Sequence, residues 1–334
     1  MTAIPLPQEH EQAQEQRRRR GVPVRQILCL LPLVLVAIVA VRHRSVLVEG
    51  FAHLATAQWP WLVAAVCATC LTWVAAAVTR QGALVERLPA LRLLATQFAA
   101  GAANHLLPTG LGASAVNLRF MTVCGVSLAR SSAALALYLL AESIARVGLL
   151  LALLIAFPHA LRLGALLPDG AEAADGMATP LLIGVAAVVC VAVVVVLLVR
   201  RLRTAVLGFV RTALSEARSV HTRPTRVLAL WGGSLAFPVL QATGLVMVGL
   251  ALGLDIPVTR MALAYLAATV AVALIPTPGG LGSVEAALVV ALVAAGGPVA
   301  VATAVVLAYR IITVWLPLLP GALTLGALVR LKVI

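Results

Sequence analysis

Lysine is almost absent from this 334-residue sequence: Lys332 stands alone against 24 arginines. Charge of either sign is scarce, at 11% of residues, and only 12 side chains are acidic. Ordinary globular chains carry about 25% charged residues, so this one cannot cover a water-facing surface of normal polarity. Aromatic residues make up 4%. No run shows the alternation over about ten residues that a transmembrane β-strand needs. A G-x-x-x-x-G-K-[ST] phosphate loop and an H-E-x-x-H zinc motif are both missing, which argues against ATP hydrolysis by this chain and against that metallohydrolase design. The five cysteines, Cys29, Cys67, Cys70, Cys124 and Cys190, all fall in apolar or membrane-flanking stretches. Even the C-x-x-C of Cys67 and Cys70 lies inside an apolar run, so the cysteines read as small packing residues. No cofactor, no metal site and no enzymatic activity are expected.

What the sequence has in quantity is apolar length. Hydrophobic residues make up 62% and the mean hydropathy is +1.06. Runs of about 18 apolar residues or more, each able to cross a hydrocarbon core of about 30 Å, occur at 24–41, 60–79, 131–157, 180–199 and 227–252, and from Val299 onward. Two further apolar segments, 91–130 and 258–297, are interrupted near their middles. The expectation is an all-α polytopic membrane protein: a disordered cytoplasmic N-terminus over 1–23, then one transmembrane domain over 24–334. It would have about six full spans plus two broken helical hairpins, or eight helices.

The net charge of +13 does not indicate a nucleic-acid partner, because the positive side chains follow topology. With the N-terminus in the cytoplasm, 19 of the 25 Lys and Arg residues fall on the inside, and only Arg42, Arg44, Arg162 and Arg260 fall outside. Arg146 and Arg310 remain within the membrane. The positive-inside rule therefore places both termini in the cytoplasm.

The two interruptions resemble each other: LLPTGLGAS at 106–114 and LIPTPGGLGS at 274–283. Their neighbourhoods also correspond, with a span, a short amphipathic piece, a span, a broken segment and a span in each half. Each half contains an odd number of full spans, so 24–170 and 180–334 read as two inverted repeats. In transporters of that design, discontinuous helices at matching positions form the substrate site. Pro108, Pro276 and Pro278 remove backbone donors, while Gly112, Gly279, Gly280 and Gly282 permit a sharp reversal. Helices that restart near Ser114 and Ser283 would present N-termini able to hold an anion such as phosphate. Alternatively, these serines simply cap their helices.

Four charges lie deep in apolar sequence. Glu142 and Arg146 are four apart and share a helix face, so they could pair. Glu285 follows the second interruption, and Arg310 sits about 16 Å beyond Val299 at helical rise. A charge at the bilayer centre costs at least about 2.5–3.5 kcal/mol unless it is paired or hydrated. These four are expected to line a polar cavity with Asn104, His105, Asn117 and Gln241. The alternative is two structural ion pairs that fix helix packing. Arg119 would mark the cytoplasmic end of the first hairpin. Trp59, Trp61, Trp231 and Trp315 read as interface anchors or packing.

The stretches NHLLPTGLGASAVNLRF and GVSLARSSAALALYLLAESIAR, with IPTPGGLGSVEAALVVAL and AYRIITVWLPLLPG, resemble the two signature regions of the flippase-like domain family. That family includes the transmembrane region of lysylphosphatidylglycerol synthases, the multiple peptide resistance factors. The likeness extends from about 25 to 330. It implies a bacterial inner-membrane protein that moves lipids or lipid-linked molecules between leaflets. It also implies functional positions at Asn104, Pro108, Gly112 and Arg119 in the first region, and at Pro276, Gly279, Gly280, Gly282, Glu285 and Arg310 in the second. The sequence to Ile334 leaves no room for a soluble aminoacyl-transfer domain, so lysyl transfer is not expected. Membrane lipids with an anionic, aminoacylated or polyprenyl-phosphate-linked headgroup are the expected partners. The other readings are a non-transporting partner of an envelope-synthesis enzyme and a solute or ion transporter.

Overall fold

The structure is a computed structural model that describes residues 57–106, 111–157, 200–273 and 282–331, with only the backbone described for 200–207. The described residues form helices and no strands. In chain order these are α1 (Trp59–Gly82), α2 (Ala90–Leu106), α3 (Gly112–Val123), α4 (Leu128–Ala156), α5 (Arg200–His221), α6 (Pro224–Ala251), α7 (Val258–Ala273), α8 (Ser283–Ala294), α9 (Val299–Arg310) and α10 (Leu316–Arg330). A π-helical turn, Ile311–Trp315, joins α9 to α10. The expected spans at 24–41 and 180–199, the N-terminal stretch 1–23 and the outer loop 158–179 lie outside the described residues.

Four helices are long and apolar enough to cross a membrane: α1, α4, α6 and the continuous rod Val299–Arg330. Each coincides with an expected span. Both interrupted segments divide where the proline and glycine clusters fall, into α2 and α3 and into α7 and α8. At 1.5 Å per residue, α2 and α7 extend about 24–26 Å and α3 and α8 about 18 Å. None of these short helices alone matches the roughly 30 Å hydrocarbon core.

Small residues bring the helices together. α1 buries a stripe of Ala65, Ala68, Thr69, Thr72, Ala75, Ala76 and Thr79, mostly against α6. At the α1–α6 crossing a Cβ on Gly82 would run into the Leu230 backbone, and one on Gly233 into the Thr79 hydroxyl. Association through small residues is the expected device where lipid removes any hydrophobic drive between helices. α2 packs on α3 and on α10, and α7 packs on α8. The largest apolar cluster joins α6, α7, α8 and α9 with the start of α1. Smaller clusters join α2, α3 and α10.

The outer surface is apolar. α4 keeps Leu140, Ile144, Val147, Leu151 and Ile155 exposed, and α1 keeps Val63, Leu71, Val74 and Val78 exposed. Patches of this extent would be a liability in water and are ordinary against lipid. Cys67 and Cys70 are exposed free thiols, which corrects the expectation that they pack inside: the buried stripe of α1 runs along the opposite face.

One end of the bundle is basic. There Arg130 at the start of α4 binds Glu86 in the α1–α2 connection and Glu216 on α5. Arg226 donates to the Gln81 carbonyl at 2.8 Å and the Val85 carbonyl at 2.9 Å. These contacts tie α5, the start of α6 and the end of α1 into one layer.

The π turn has a local cause. Pro317 and Pro320 cannot donate to the carbonyls four residues earlier, and a proline ring crowds the carbonyl at that position. The turn just before Pro317 widens to relieve this, and the Thr313 hydroxyl donates to the Tyr309 carbonyl at 2.9 Å. Such widened turns place side chains that an unbroken α-helix would aim elsewhere.

Candidate functional site

A cavity of about 510 Å³ lies among α1, α2, α3, α4, α6, α7, α8 and α9 and the π turn. Its wall includes Arg80, Arg146 and Arg310 together with Glu142, Asn104, His105, Ser114 and Gln241. Residues expected from sequence to share a polar cavity, and spread from 104 to 310, thus meet at one place.

Local structure explains how each charged group is held. Arg80, in the last turn of α1, folds back along its own helix, and its Nη1 donates to the Ala76 carbonyl and to Glu142 Oε1, both at 3.0 Å. Its guanidinium lies 4.4 Å over the Tyr138 ring, a cation–π contact that helps hold a desolvated arginine. Glu142 therefore pairs with Arg80, not with Arg146 as the four-residue spacing suggested. Arg146 Nη2 meets only the neutral Gln241 Oε1, at 3.4 Å. Gln241 is fixed in turn, since its carbonyl accepts from the Tyr309 hydroxyl at 3.2 Å.

The second ion pair is as expected, with Arg310 Nε donating to Glu285 Oε1 at 2.6 Å. Glu285 is also the third residue of α8, and its Oε2 accepts the Gly282 N–H at 2.7 Å. This is one half of a capping box. Gly282 can precede the helix because its φ of +90° suits glycine. The start of α8 is thus satisfied by its own carboxylate and is not the open anion site that the sequence suggested. Ser283 takes the first helical position, outside the cavity wall. The first turn of α3 does reach the cavity, through Ala113 and Ser114. Arg310 is only 7% exposed, and its Nη2 is buried with no hydrogen-bond acceptor. An unmet buried donor costs about 1–3 kcal/mol, more when it carries charge, so this nitrogen is primed for an acceptor.

Other expected residues have plainer positions. A Cβ at Gly112 would overlap the Ala103 carbonyl and the Asn104 nitrogen, so this glycine lets α3 fold tightly against α2. Asn117 lies behind the wall, buried, where its Oδ1 accepts from Gln97 Nε2 at 3.1 Å. Arg119 is exposed on α3 and does not line the cavity. Pro108, Pro276, Gly279 and Gly280 lie outside the described residues. Trp59 and Trp61 are exposed at the start of α1, as interface anchors would be, and Trp231 donates to His221 Nε2 at 3.2 Å.

Sequence reasoning missed Arg80, Trp73 and the tyrosines. Arg80 read as a cytoplasmic charge because it ends an apolar run. Trp73 lines the cavity and lies against Phe98 with ring centroids 4.1 Å apart. Tyr265 and Tyr309 meet edge-on in the wall. A heptad-style reading of α1 could have found Trp73 and Arg80, which lie seven apart and share a face with Thr69, Thr72 and Ala76.

Among the described residues no group of His, Cys, Asp or Glu is arranged to hold a metal ion. What the cavity offers is positive charge, amides and hydroxyls within an apolar bundle, suited to desolvating an acceptor-rich polar group and not to bond-making. No curated protein matches the chain. The profile of the family described as lysylphosphatidylglycerol synthase TM region matches residues 27–321. With its apolar spans and a match over most of its length, the chain is a multi-pass membrane protein that belongs to the lysylphosphatidylglycerol synthase transmembrane-region family.

Proposed function

We propose that this protein moves a lipid headgroup between the leaflets of a bacterial inner membrane, using the arginine-lined cavity as the headgroup's path. The observation that carries the reading is the convergence of Arg80, Arg146 and Arg310 on one cavity of about 510 Å³. That size lies within the range of about 300–1,000 Å³ found for ligand pockets. A polar headgroup crossing bare hydrocarbon pays for its whole hydration shell, and fixed guanidinium groups offset that loss. The acyl tails stay in lipid while the headgroup passes.

In this reading α2–α3 and α7–α8 are re-entrant hairpins at matching positions of two inverted halves, and the basic end faces the cytoplasm. The two helix pairs, each packed on itself, support that assignment. Irregular backbone at membrane depth is tolerated where it borders a polar cavity, and the cavity wall includes residues flanking both interruptions, Asn104 to Ser114 and Val284. Any driving force comes from a gradient or the membrane potential, worth about 2.3 kcal/mol per charge per 100 mV.

The test is reconstitution into liposomes with headgroup-labelled phospholipids on one leaflet. Wild-type protein should speed exchange, and Arg310→Ala and Glu285→Ala proteins that insert normally should be slow. Equal exchange in wild-type, variant and protein-free vesicles defeats the proposal.

A further inference from the structure

The charges around the cavity do not cancel. Among the described residues, Arg80, Arg146 and Arg310 line it, and Glu142 and Glu285 reach two of them. The other described acids lie elsewhere: Glu86 and Glu216 bind Arg130, and Asp255 sits in the connection between α6 and α7. The segments that complete the two interruptions, 107–110 and 274–281, contain no ionisable side chain.

Each carboxylate is already spoken for. Glu142 accepts from Arg80. Glu285 is divided between Arg310 and the first N–H of its own helix. Arg146 is left with a neutral amide at 3.4 Å, and Arg310 keeps a buried nitrogen with no acceptor. His105 also lines the wall and is neutral above its ordinary pKa of about 6.5.

One surplus positive charge and an unmet guanidinium donor call for a group with one negative charge and more than one acceptor oxygen. A phosphodiester has both, a single charge shared over two non-bridging oxygens. Resting on the reading that a headgroup enters this cavity, we infer that the ligand is a monoanionic phosphodiester, with Arg146 as its counter-charge and Arg310 as a second donor. A headgroup that adds an ammonium finds no free carboxylate among the described residues. Phosphatidylglycerol should therefore bind best, zwitterionic phosphatidylcholine less well, and a cationic aminoacyl ester of phosphatidylglycerol least. A charge-assisted hydrogen bond of ordinary strength corresponds to a preference of about 10- to 100-fold.

The deciding experiment is native mass spectrometry of the full chain, at pH 8, equilibrated with equal amounts of those three lipids. The wild type should retain phosphatidylglycerol, Arg146→Lys should keep the preference, and Arg146→Gln should lose it about tenfold or more. Arg218→Gln, at an exposed site on α5, should behave as wild type. Glu142→Gln releases Arg80 and gives the cavity a second surplus charge. It should shift retention toward phosphatidic acid, a gain that misfolding cannot imitate. Displacement of phosphatidylglycerol by soluble glycerophosphoglycerol supports a site that reads the phosphodiester alone. Failure of the soluble diester to compete supports a site that also needs the lipid tails. Equal retention of all three lipids, or an unchanged preference in Arg146→Gln, overturns the inference. Selective binding without leaflet exchange overturns only the transport reading.

Discussion

Removing the carboxylate of Glu285 should do two kinds of damage. Its Oε2 holds the Gly282 N–H at the start of α8, and its Oε1 holds Arg310. Loss of a helix cap costs about 1 kcal/mol. Leaving a buried charge without its partner costs about 3–5 kcal/mol. Here the carboxylate is 22% exposed while the arginine is 9% exposed, so the lower part of that range applies. Glu285→Ala should therefore lose about 3–4 kcal/mol. Glu285→Gln keeps an acceptor for Gly282 and should lose about 1 kcal/mol less. Arg310→Met alone frees the carboxylate for its cap and costs less than Glu285→Ala. In the double variant Glu285→Gln, Arg310→Met, no unpaired charge remains, so its loss should fall short of the sum of the single losses by about 1.5–3 kcal/mol. Unfolding by sodium dodecyl sulfate in mixed micelles, followed by tryptophan fluorescence, gives all four corners of the cycle. Additive losses within about 0.5 kcal/mol would mean that the two side chains do not stabilise one another, and the reasoning about the cavity's charges would fail with them.

Three further outcomes follow from packing and exposure. Gly112→Ala forces a methyl group into the Ala103 carbonyl and should destabilise by about 1–3 kcal/mol; Gly148→Ala, with open space around it, should instead gain up to about 1 kcal/mol from helix propensity. Both can be read in the same micelle titration. Arg130→Ala cuts the bridge from α4 to Glu86 and Glu216, and limited proteolysis should then cleave within 200–223 several-fold faster. Cys67 and Cys70 are exposed on the apolar face of α1, whereas Cys124 is exposed in the α3–α4 connection. In single-cysteine proteins a membrane-permeant maleimide should label all three, and a charged maleimide only Cys124.

The fold was legible where it depends on local chemistry. Apolar length alone located α1, α4, α6 and the rod from Val299, because a bilayer imposes a minimum span. Proline and glycine marked both interruptions, since these residues act on the backbone at their own positions. Most of the cavity wall was also legible: charges so costly in hydrocarbon have to gather. Pairing was not legible. Glu142 has an arginine four residues away on its own helix, yet its partner is Arg80, 62 residues earlier. Sequence spacing ranks the near neighbour first, and only the α1–α4 approach reveals the other. Arg80 misled for a second reason. Its Cα lies in the last turn of its span, but its side chain leans back toward the N-terminus, as helical side chains do, and delivers the charge inward. Serine at a helix start suggested an open anion site, but Glu285 had already filled one of the two.

The widened turn at Ile311–Trp315 sets the angular relation between two halves of one rod. Upstream, Tyr309 and Arg310 face the charged chamber; downstream, Gly321 lies against Phe98 and Ala102 of α2. Each residue of an α-helix advances about 100° around the axis. Deleting a single residue from 311–315 would swing one half by roughly that angle relative to the other. α10 could then keep its seat on α2, or Arg310 could keep its place beside Glu285, but one rod could not do both.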